Sequence, residues 1–129
     1  SAPLVEGKRI ENPETLATAI RIGNPVNREK ALTAKNTSNG KFSSVSDLEI
    51  IDAYKILGKE EGIFCEPASA ASIAGLLKIK NDVPKDSTIV CVLTGNGLKD
   101  PDCAIKNNDS IFHTGIEAEI NSIAKKMGF

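Results

Sequence analysis

The sequence has 129 residues, enough for one compact domain or for a piece of a larger one. Its 16 basic and 17 acidic residues are interspersed and give a net charge of −1, so the chain lacks the basic stripe that nucleic-acid binding requires. No apolar run approaches the roughly 20 residues of a membrane-spanning helix, and the first residues are not patterned as a signal peptide.

The cysteine content argues against a disulfide framework and against a metal site. Cys65, Cys91 and Cys103 are an odd number at wide spacing, which favours a reducing compartment. No C-x-x-C pair accompanies the lone His113, so we expect no bound metal. These features favour a cytoplasmic protein that binds neither nucleic acid nor membrane.

The first predicted element is a short helix. Asn12 and Pro13 are typical of a helix start, and the triplet at residues 23–25, Gly-Asn-Pro, is typical of a helix end. A second helix is predicted over residues 26–36. A turn signal then precedes a short predicted strand at residues 41–45.

The next helix has the clearest signal. Ser46 and Glu49 match a capping box, in which each side chain satisfies a backbone donor of the first turn. Apolar residues recur every three positions along this helix, and Gly58 suits its C-terminal cap. The predicted core-facing stripe consists of Val45, Leu48, Ile51, Tyr54 and Leu57.

The second half of the chain contains a further helix, an apolar run and a last helix. The helix is predicted over residues 67–80, with small residues on one face from Ala68 to Gly75 that permit close backbone approach. The run at residues 88–93 is continuously apolar and rich in β-branched residues, which favours a strand covered on both faces. Residues 98–113 are predicted to be mostly irregular. A second capping box, Thr114 with Glu117, opens the last predicted helix.

Strands that alternate with helices predict an α/β fold, here a partial three-layer sandwich around a small, mostly parallel sheet. A strand as apolar as residues 88–93 needs neighbours on both edges and helices on both faces, which this chain barely supplies. The sequence therefore suggests that strands from elsewhere are missing.

The candidate ligand site follows the apolar run, because ligands of open α/β sheets bind beyond the carboxyl ends of the strands. In this loop Gly95 and Gly97 allow a close approach of the backbone, and Thr94 offers a hydroxyl. The glycines could equally serve the turn alone, since the loop matches neither the P-loop nor the dinucleotide-binding fingerprint. Glu66 is a second candidate, although capping the helix that follows it explains this residue at least as well.

Other chemistry has weaker support. Arg21 and Lys99 could hold an anion, although charges at such positions are usually just solvated. With His113 as the single histidine, no Ser/His/Asp or Cys/His arrangement for nucleophilic catalysis is indicated.

Three stretches resemble the C-terminal portion of threonine synthases. They are residues 12–25 (NPETLATAIRIGNP), residues 61–71 (EGIFCEPASAA) and residues 92–101 (VLTGNGLKDP). They occur in the family's order and at about its spacing, and the likeness covers nearly the whole chain. The triple match is specific, whereas one segment alone could equally indicate a relative such as threonine dehydratase.

The resemblance implies the tryptophan-synthase-like (type II) fold of enzymes that depend on pyridoxal phosphate (PLP). Threonine synthases convert O-phospho-L-homoserine and water into L-threonine and phosphate. By resemblance, Thr94 matches the residue whose hydroxyl bonds the pyridine nitrogen of PLP. The resemblance also implies that the segment around Ala19 lines the ring face and that Glu66 lies near the rim of the cofactor.

The resemblance further implies that residues 1–129 are the C-terminal part of the large PLP-binding domain. The family's lysine that attaches the cofactor, and its loop that cradles the cofactor phosphate, have no counterpart in this sequence. We therefore expect an inactive fragment that self-associates, with a small-molecule substrate in the intact enzyme only. The alternatives are another type II PLP lyase, such as a threonine dehydratase, and a non-catalytic interaction domain.

Overall fold

The computed structural model describes residues 2–107 and 116–129. These residues are mostly helical, and none of the helices among them is both long enough and apolar enough to cross a bilayer. The helices are α1 (Ala2–Glu6), α2 (Arg28–Thr37), α3 (Asp47–Glu61), α4 (Pro67–Ile79), α5 (Pro101–Asn107) and α6 (Ile120–Met127). Two 3-10 turns span Thr18–Ile20 and Gly97–Lys99.

Helix α3 begins at the predicted capping box. The Ser46 backbone N–H donates to Glu49 Oε2 at 2.6 Å, and the Glu49 N–H donates to Ser46 Oγ at 3.3 Å. The helix passes the predicted end at Gly58 and continues to Glu61. Gly62 follows with a φ of 65°, the left-handed conformation that glycine adopts without steric cost. Its N–H caps the end of the helix by donating to the Leu57 carbonyl.

The buried face of α3 differs from the predicted stripe. Ile50, Ala53, Tyr54 and Leu57 are buried, whereas Leu48 is 78% exposed. An α-helix advances by about 100° per residue, so a strict three-residue repeat drifts around the helix axis. Alternating three- and four-residue spacings keep one face toward the core, and the four buried residues of α3 follow these spacings.

Helix α4 confirms the prediction for residues 67–80 and packs against α3. Ala70 and Ala74 are buried in the same cluster as Ile50 and Ala53, so the two helices meet largely through small side chains. The predicted small-residue strip lies on another face. It lines a cavity of about 810 Å³, and a Cβ added at Gly75 would meet no described atom within 4 Å.

Residues 12–23 do not form the predicted helix. Thr15 Oγ1 donates to Asp47 Oδ1 at 2.5 Å, and the Leu16 N–H donates to Asp47 Oδ2 at 2.9 Å. The Ala17 N–H donates to Thr15 Oγ1 at 3.2 Å. These side-chain oxygens take the backbone donors that a helix would pair with its own carbonyls. The segment is instead held at the start of α3, with a single 3-10 turn at Thr18–Ile20.

The two predicted strands, at residues 41–45 and 88–93, are wrong for the described structure, in which neither range has regular secondary structure. Val90 is 82% and Val92 65% exposed. A strand is stable when neighbouring strands take up its backbone donors and acceptors, and residues 2–107 and 116–129 contain no strand to do so. The small parallel sheet is therefore absent from the described residues.

The C-terminal quarter contains one unpredicted helix and one predicted helix. Helix α5 lies where irregular structure was predicted, and Asp100 Oδ1 accepts the Cys103 N–H of its first turn at 3.3 Å. Helix α6 confirms the last helix but not its predicted start: the helix begins at Ile120 with Glu119 as N-cap, and Glu117 precedes it. The apolar residues Ile120, Ile123 and Met127 are exposed along it. Thr114, half of the second predicted capping box, lies outside the described residues.

Candidate functional site

The loop at residues 94–99 is tied to the segment that precedes α4. The Glu66 N–H donates to the Gly95 carbonyl at 3.0 Å, and the Gly97 N–H donates to the Phe64 carbonyl at 3.1 Å. Between these bonds, Cys65 and Asn96 form an isolated antiparallel bridge. The loop backbone is therefore fixed by the chain that leads into α4.

Ser69 joins the same loop to α4 itself. It lies in the first turn of α4 and is only 2% exposed. The Gly95 N–H donates to Ser69 Oγ at 2.8 Å, and Ser69 Oγ lies 3.2 Å from both the Gly95 carbonyl oxygen and Thr94 Oγ1. Thr94 is exposed. The Thr94 hydroxyl is thus positioned against α4, on a residue that is exposed overall.

Glu66 is the N-cap residue of α4 and is 6% exposed. Within the described residues its side chain makes no capping hydrogen bond, so capping does not explain the carboxylate. The carboxylate packs against Gly95 instead, because a Cβ built at that glycine would lie 2.0 Å from Glu66 Oε1. The structure therefore brings Glu66 next to Thr94 and Gly95, and this contact requires glycine at position 95.

Ala19 is exposed in the 3-10 turn Thr18–Ile20, which packs against α4. Its neighbour Thr18 donates through Oγ1 to Asp100 Oδ2 at 3.4 Å, across 82 residues of sequence. Asp100 follows the 3-10 turn of the Thr94 loop. The structure thus places Ala19 at the edge of the same region, joined to it through Thr18.

The two other charged candidates, Arg21 and Lys99, differ in their surroundings. The Arg21 guanidinium donates from Nε and Nη2 to the Thr15 carbonyl, at 2.9 and 2.6 Å, and Lys99 is exposed. Burial raises the pKa of the Cys65 thiol, and the negative charge of Glu66 adds to the rise. This thiol therefore stays neutral near neutral pH. No group of three or more metal-binding side chains converges within the described residues.

Two cavities adjoin this region. One, of about 810 Å³, is lined by Ile20, Ala71 and other residues of the N-terminal turn and α4. The other, of about 710 Å³, is mainly apolar and is lined by Tyr54, Phe64 and Leu98, among others. Neither Thr94 nor Glu66 is among the described residues that line them. The chain thus offers an exposed threonine on a fixed loop, with a buried glutamate beside it at the start of α4, rather than an enclosed cleft.

Ser69 is the residue that sequence reasoning missed. A serine flanked by alanines in the first turns of a buried helix is a signal, because a buried hydroxyl needs a hydrogen-bond partner. That partner is Thr94, 25 residues further along the chain. The position of Ser69 between alanines could have predicted that its hydroxyl makes a hydrogen bond, but not which group is the partner.

Comparison with known proteins covers the whole chain. The family model described as pyridoxal-phosphate dependent enzyme matches residues 1–95. A threonine synthase from Synechocystis is 60% identical over 129 residues, which is 100% of this chain and 34% of the relative. Threonine synthases from Mycobacterium tuberculosis and Methanocaldococcus jannaschii are 48% and 51% identical over 99% and 89% of this chain.

The chain spans about a third of the length of these curated relatives, with 36% and 28% of the last two covered. The family match extends over more than half of the chain and includes Ala19, Glu66 and Thr94. It also contains Ser69 and Gly95, so the start of α4 and the first two residues of the loop at 94–99 lie within it. The chain therefore belongs to the family of pyridoxal-phosphate dependent enzymes.

Proposed function

We propose that this chain forms part of the cofactor site of a threonine synthase, which converts O-phospho-L-homoserine and water into L-threonine and phosphate with PLP. The relatives that match it along its length carry the name threonine synthase. The observation that carries the proposal is the convergence of three distant segments. Residues 61–71 and 92–101 meet where Ser69 contacts Thr94, and residues 12–25 join them where Thr18 contacts Asp100.

The Thr94 loop fits the nitrogen edge of the PLP ring. A hydroxyl can donate to a ring nitrogen or accept from it, and Thr94 is an exposed residue whose hydroxyl lies 3.2 Å from Ser69 Oγ. The Glu66 side chain occupies the space beside Gly95, and this contact holds the loop against α4. In this proposal the Glu66 carboxylate accepts from a donor at the rim of the cofactor.

Bound PLP supplies an electron-withdrawing ring that stabilises negative charge on an attached amino acid. Thr94 sets how strongly the ring withdraws electrons. A carboxylate facing the nitrogen would hold it protonated, whereas the neutral hydroxyl of Thr94 can donate to an unprotonated nitrogen. We assign Thr94 the role of keeping the ring a mild electron sink, which suits elimination and replacement chemistry.

In this proposal residues 1–129 are the C-terminal part of the large PLP-binding domain, and residues 88–93 pair as a strand where neighbouring strands are present. The 129 residues alone carry neither the lysine nor the phosphate loop and should not catalyse the reaction. Their exposed apolar side chains, among them Val90, Val92 and Ile120, support self-association of the isolated chain.

The test is release of phosphate and formation of threonine from O-phospho-L-homoserine, with PLP added to the natural-length polypeptide that contains these residues. Thr94→Val should lower the rate roughly three- to tenfold, because it removes one hydrogen bond to the ring. Thr94→Ser keeps the hydroxyl and should retain most of the rate. Thr33→Val, which removes a hydroxyl bonded to the Glu29 carbonyl in α2, is the matched control and should change nothing. An unaffected Thr94→Val variant, or no threonine from the unmodified polypeptide, would overturn the proposal.

A further inference from the structure

Ser69 has a hydrogen-bonding arrangement that neither packing nor helix formation needs. The side chain is 2% exposed, yet its hydroxyl lies within hydrogen-bond distance of the Gly95 N–H, the Gly95 carbonyl and the Thr94 hydroxyl. Alanines occupy the positions on either side of it in α4. An alanine at position 69 would also fit this helix, so the hydroxyl serves the loop.

The protons of these groups can be counted. A serine hydroxyl has one proton and two acceptor lone pairs, and so has a threonine hydroxyl. The Gly95 N–H occupies one lone pair of Ser69. The Ser69 proton then has two acceptors within reach, the Gly95 carbonyl oxygen and Thr94 Oγ1, both at 3.2 Å.

The two choices have different consequences for Thr94. If Ser69 donates to the Gly95 carbonyl, the Thr94 proton is drawn inward to Ser69 Oγ. If Ser69 donates to Thr94 Oγ1, the Thr94 proton is free to point outward. The second arrangement leaves only the outward Thr94 proton for a ligand to accept, because the Gly95 carbonyl does not need the Ser69 proton: it already accepts the Glu66 N–H at 3.0 Å.

We propose that Ser69 is the positioning residue for Thr94: by donating its proton to Thr94 Oγ1, it turns the Thr94 proton outward to the ring nitrogen of PLP. This inference rests on the proposed function, since it takes Thr94 as the partner of that nitrogen. Ser69 does not touch the cofactor. It acts through the orientation of one hydroxyl, so its effect is confined to ligands that present a hydrogen-bond acceptor at that point.

The experiment compares two ligands on the natural-length polypeptide: PLP, and an analogue of PLP in which a C–H group replaces the ring nitrogen. The measured quantity is the ratio of the two dissociation constants, from equilibrium dialysis. Both Thr94→Val and Ser69→Ala should lower the preference for PLP over the analogue, each roughly three- to tenfold, the value of one hydrogen bond. The double variant should lower it no further than Thr94→Val does, because the two residues act through one proton.

The matched control is Ser72→Ala, one turn further along α4. The Ser72 hydroxyl donates to the Ser69 carbonyl at 3.0 Å and lies 3.4 Å from the Val92 carbonyl oxygen, so it does not reach Thr94. Its removal should leave the preference unchanged. Ser69→Cys keeps the size of the side chain and weakens the donor, and it gives the same comparison should Ser69→Ala fail to fold.

The outcomes separate the inference from the function on which it rests. If Thr94→Val lowers the preference while Ser69→Ala weakens both ligands equally or neither, Ser69 does not orient Thr94 and the inference fails alone. If Thr94→Val leaves the preference unchanged, or if the unmodified polypeptide does not bind PLP, the assigned role of Thr94 fails and the inference fails with it.

Discussion

Replacing Gly95 with alanine tests the contact that holds the candidate site together. The new Cβ would lie 2.0 Å from Glu66 Oε1 and 2.4 Å from Cδ, both closer than such atoms approach, and 3.0 Å from Cγ. Glu66 is buried, and its backbone N–H is bonded to the Gly95 carbonyl, so the side chain has little room to withdraw. Either the loop or the carboxylate must move.

The expected cost follows from overpacking. Extra atoms forced into a packed site destabilise proteins by about 1–3 kcal/mol. Alanine also restricts the unfolded chain, which stabilises by about 0.4–1 kcal/mol. The net loss at Gly95 should therefore be about 1–2 kcal/mol. Gly58→Ala is the matched control: Gly58 lies inside α3, an added Cβ meets no described atom within 4 Å, and a gain of about 0.5–1 kcal/mol is expected.

The assay is urea unfolding followed by far-UV circular dichroism for the parent chain and both glycine variants. A third variant, Gly95→Ala combined with Glu66→Ala, removes the side chain that the new methyl group meets. It should be less destabilised than the sum of the two single variants, because the clash is shared between them. The two glycine variants should change stability in opposite directions: a stabilised Gly95→Ala variant would show that the Glu66 contact is not tight.

Three further predictions concern the core, the capping box and the exposed surface. Ile50→Ala should cost about 2–5 kcal/mol and Leu48→Ala less than about 0.5 kcal/mol, and similar losses on urea unfolding would contradict the core face assigned to α3. The hydrogen bond from the Ser46 backbone N–H holds the pKa of Glu49 below its ordinary 4.5. The ionised Glu49 carboxylate therefore contributes its full stability above about pH 4.5, and this contribution is lost as the pH falls through the lower pKa of the folded state. Glu49→Gln should flatten the dependence of unfolding free energy on pH in that acid range, and an unchanged acid limb would count against this contribution. The isolated chain should sediment as more than a monomer at micromolar concentration, and Val90→Ser should shift it toward the monomer; a monomeric parent would refute self-association.

The elements that depend on local chemistry could be predicted from the sequence. The capping box of Ser46 and Glu49 opens α3, and α4 begins at Pro67 as expected. Both signals involve residues within one helical turn of each other, so their partners are visible in the sequence. The resemblance to threonine synthases is likewise a property of local motifs in a fixed order, and the family match confirms the family that it indicated.

The elements that depend on distant partners could not be predicted. Residues 12–23 begin with a good helix signal, yet the carboxylate of Asp47, 31 residues from Leu16, takes a backbone donor of that segment. Residues 88–93 have the composition of a buried strand, but composition does not supply the neighbouring strands that such a strand must pair with.

The candidate site divides in the same way. Thr94 and Glu66 were identified from their positions in the sequence and given roles by resemblance, whereas the contacts that Gly95 makes with Glu66 and that Ser69 makes with Thr94 became visible only in three dimensions. The sequence shows that residue 69 carries a hydroxyl, and a buried hydroxyl must be hydrogen-bonded to a partner. Which partner it finds depends on the placement of the loop to within a few tenths of an ångström, because a hydrogen bond exists only over a narrow range of distance and angle. Only the packing of that loop against α4 decides this placement.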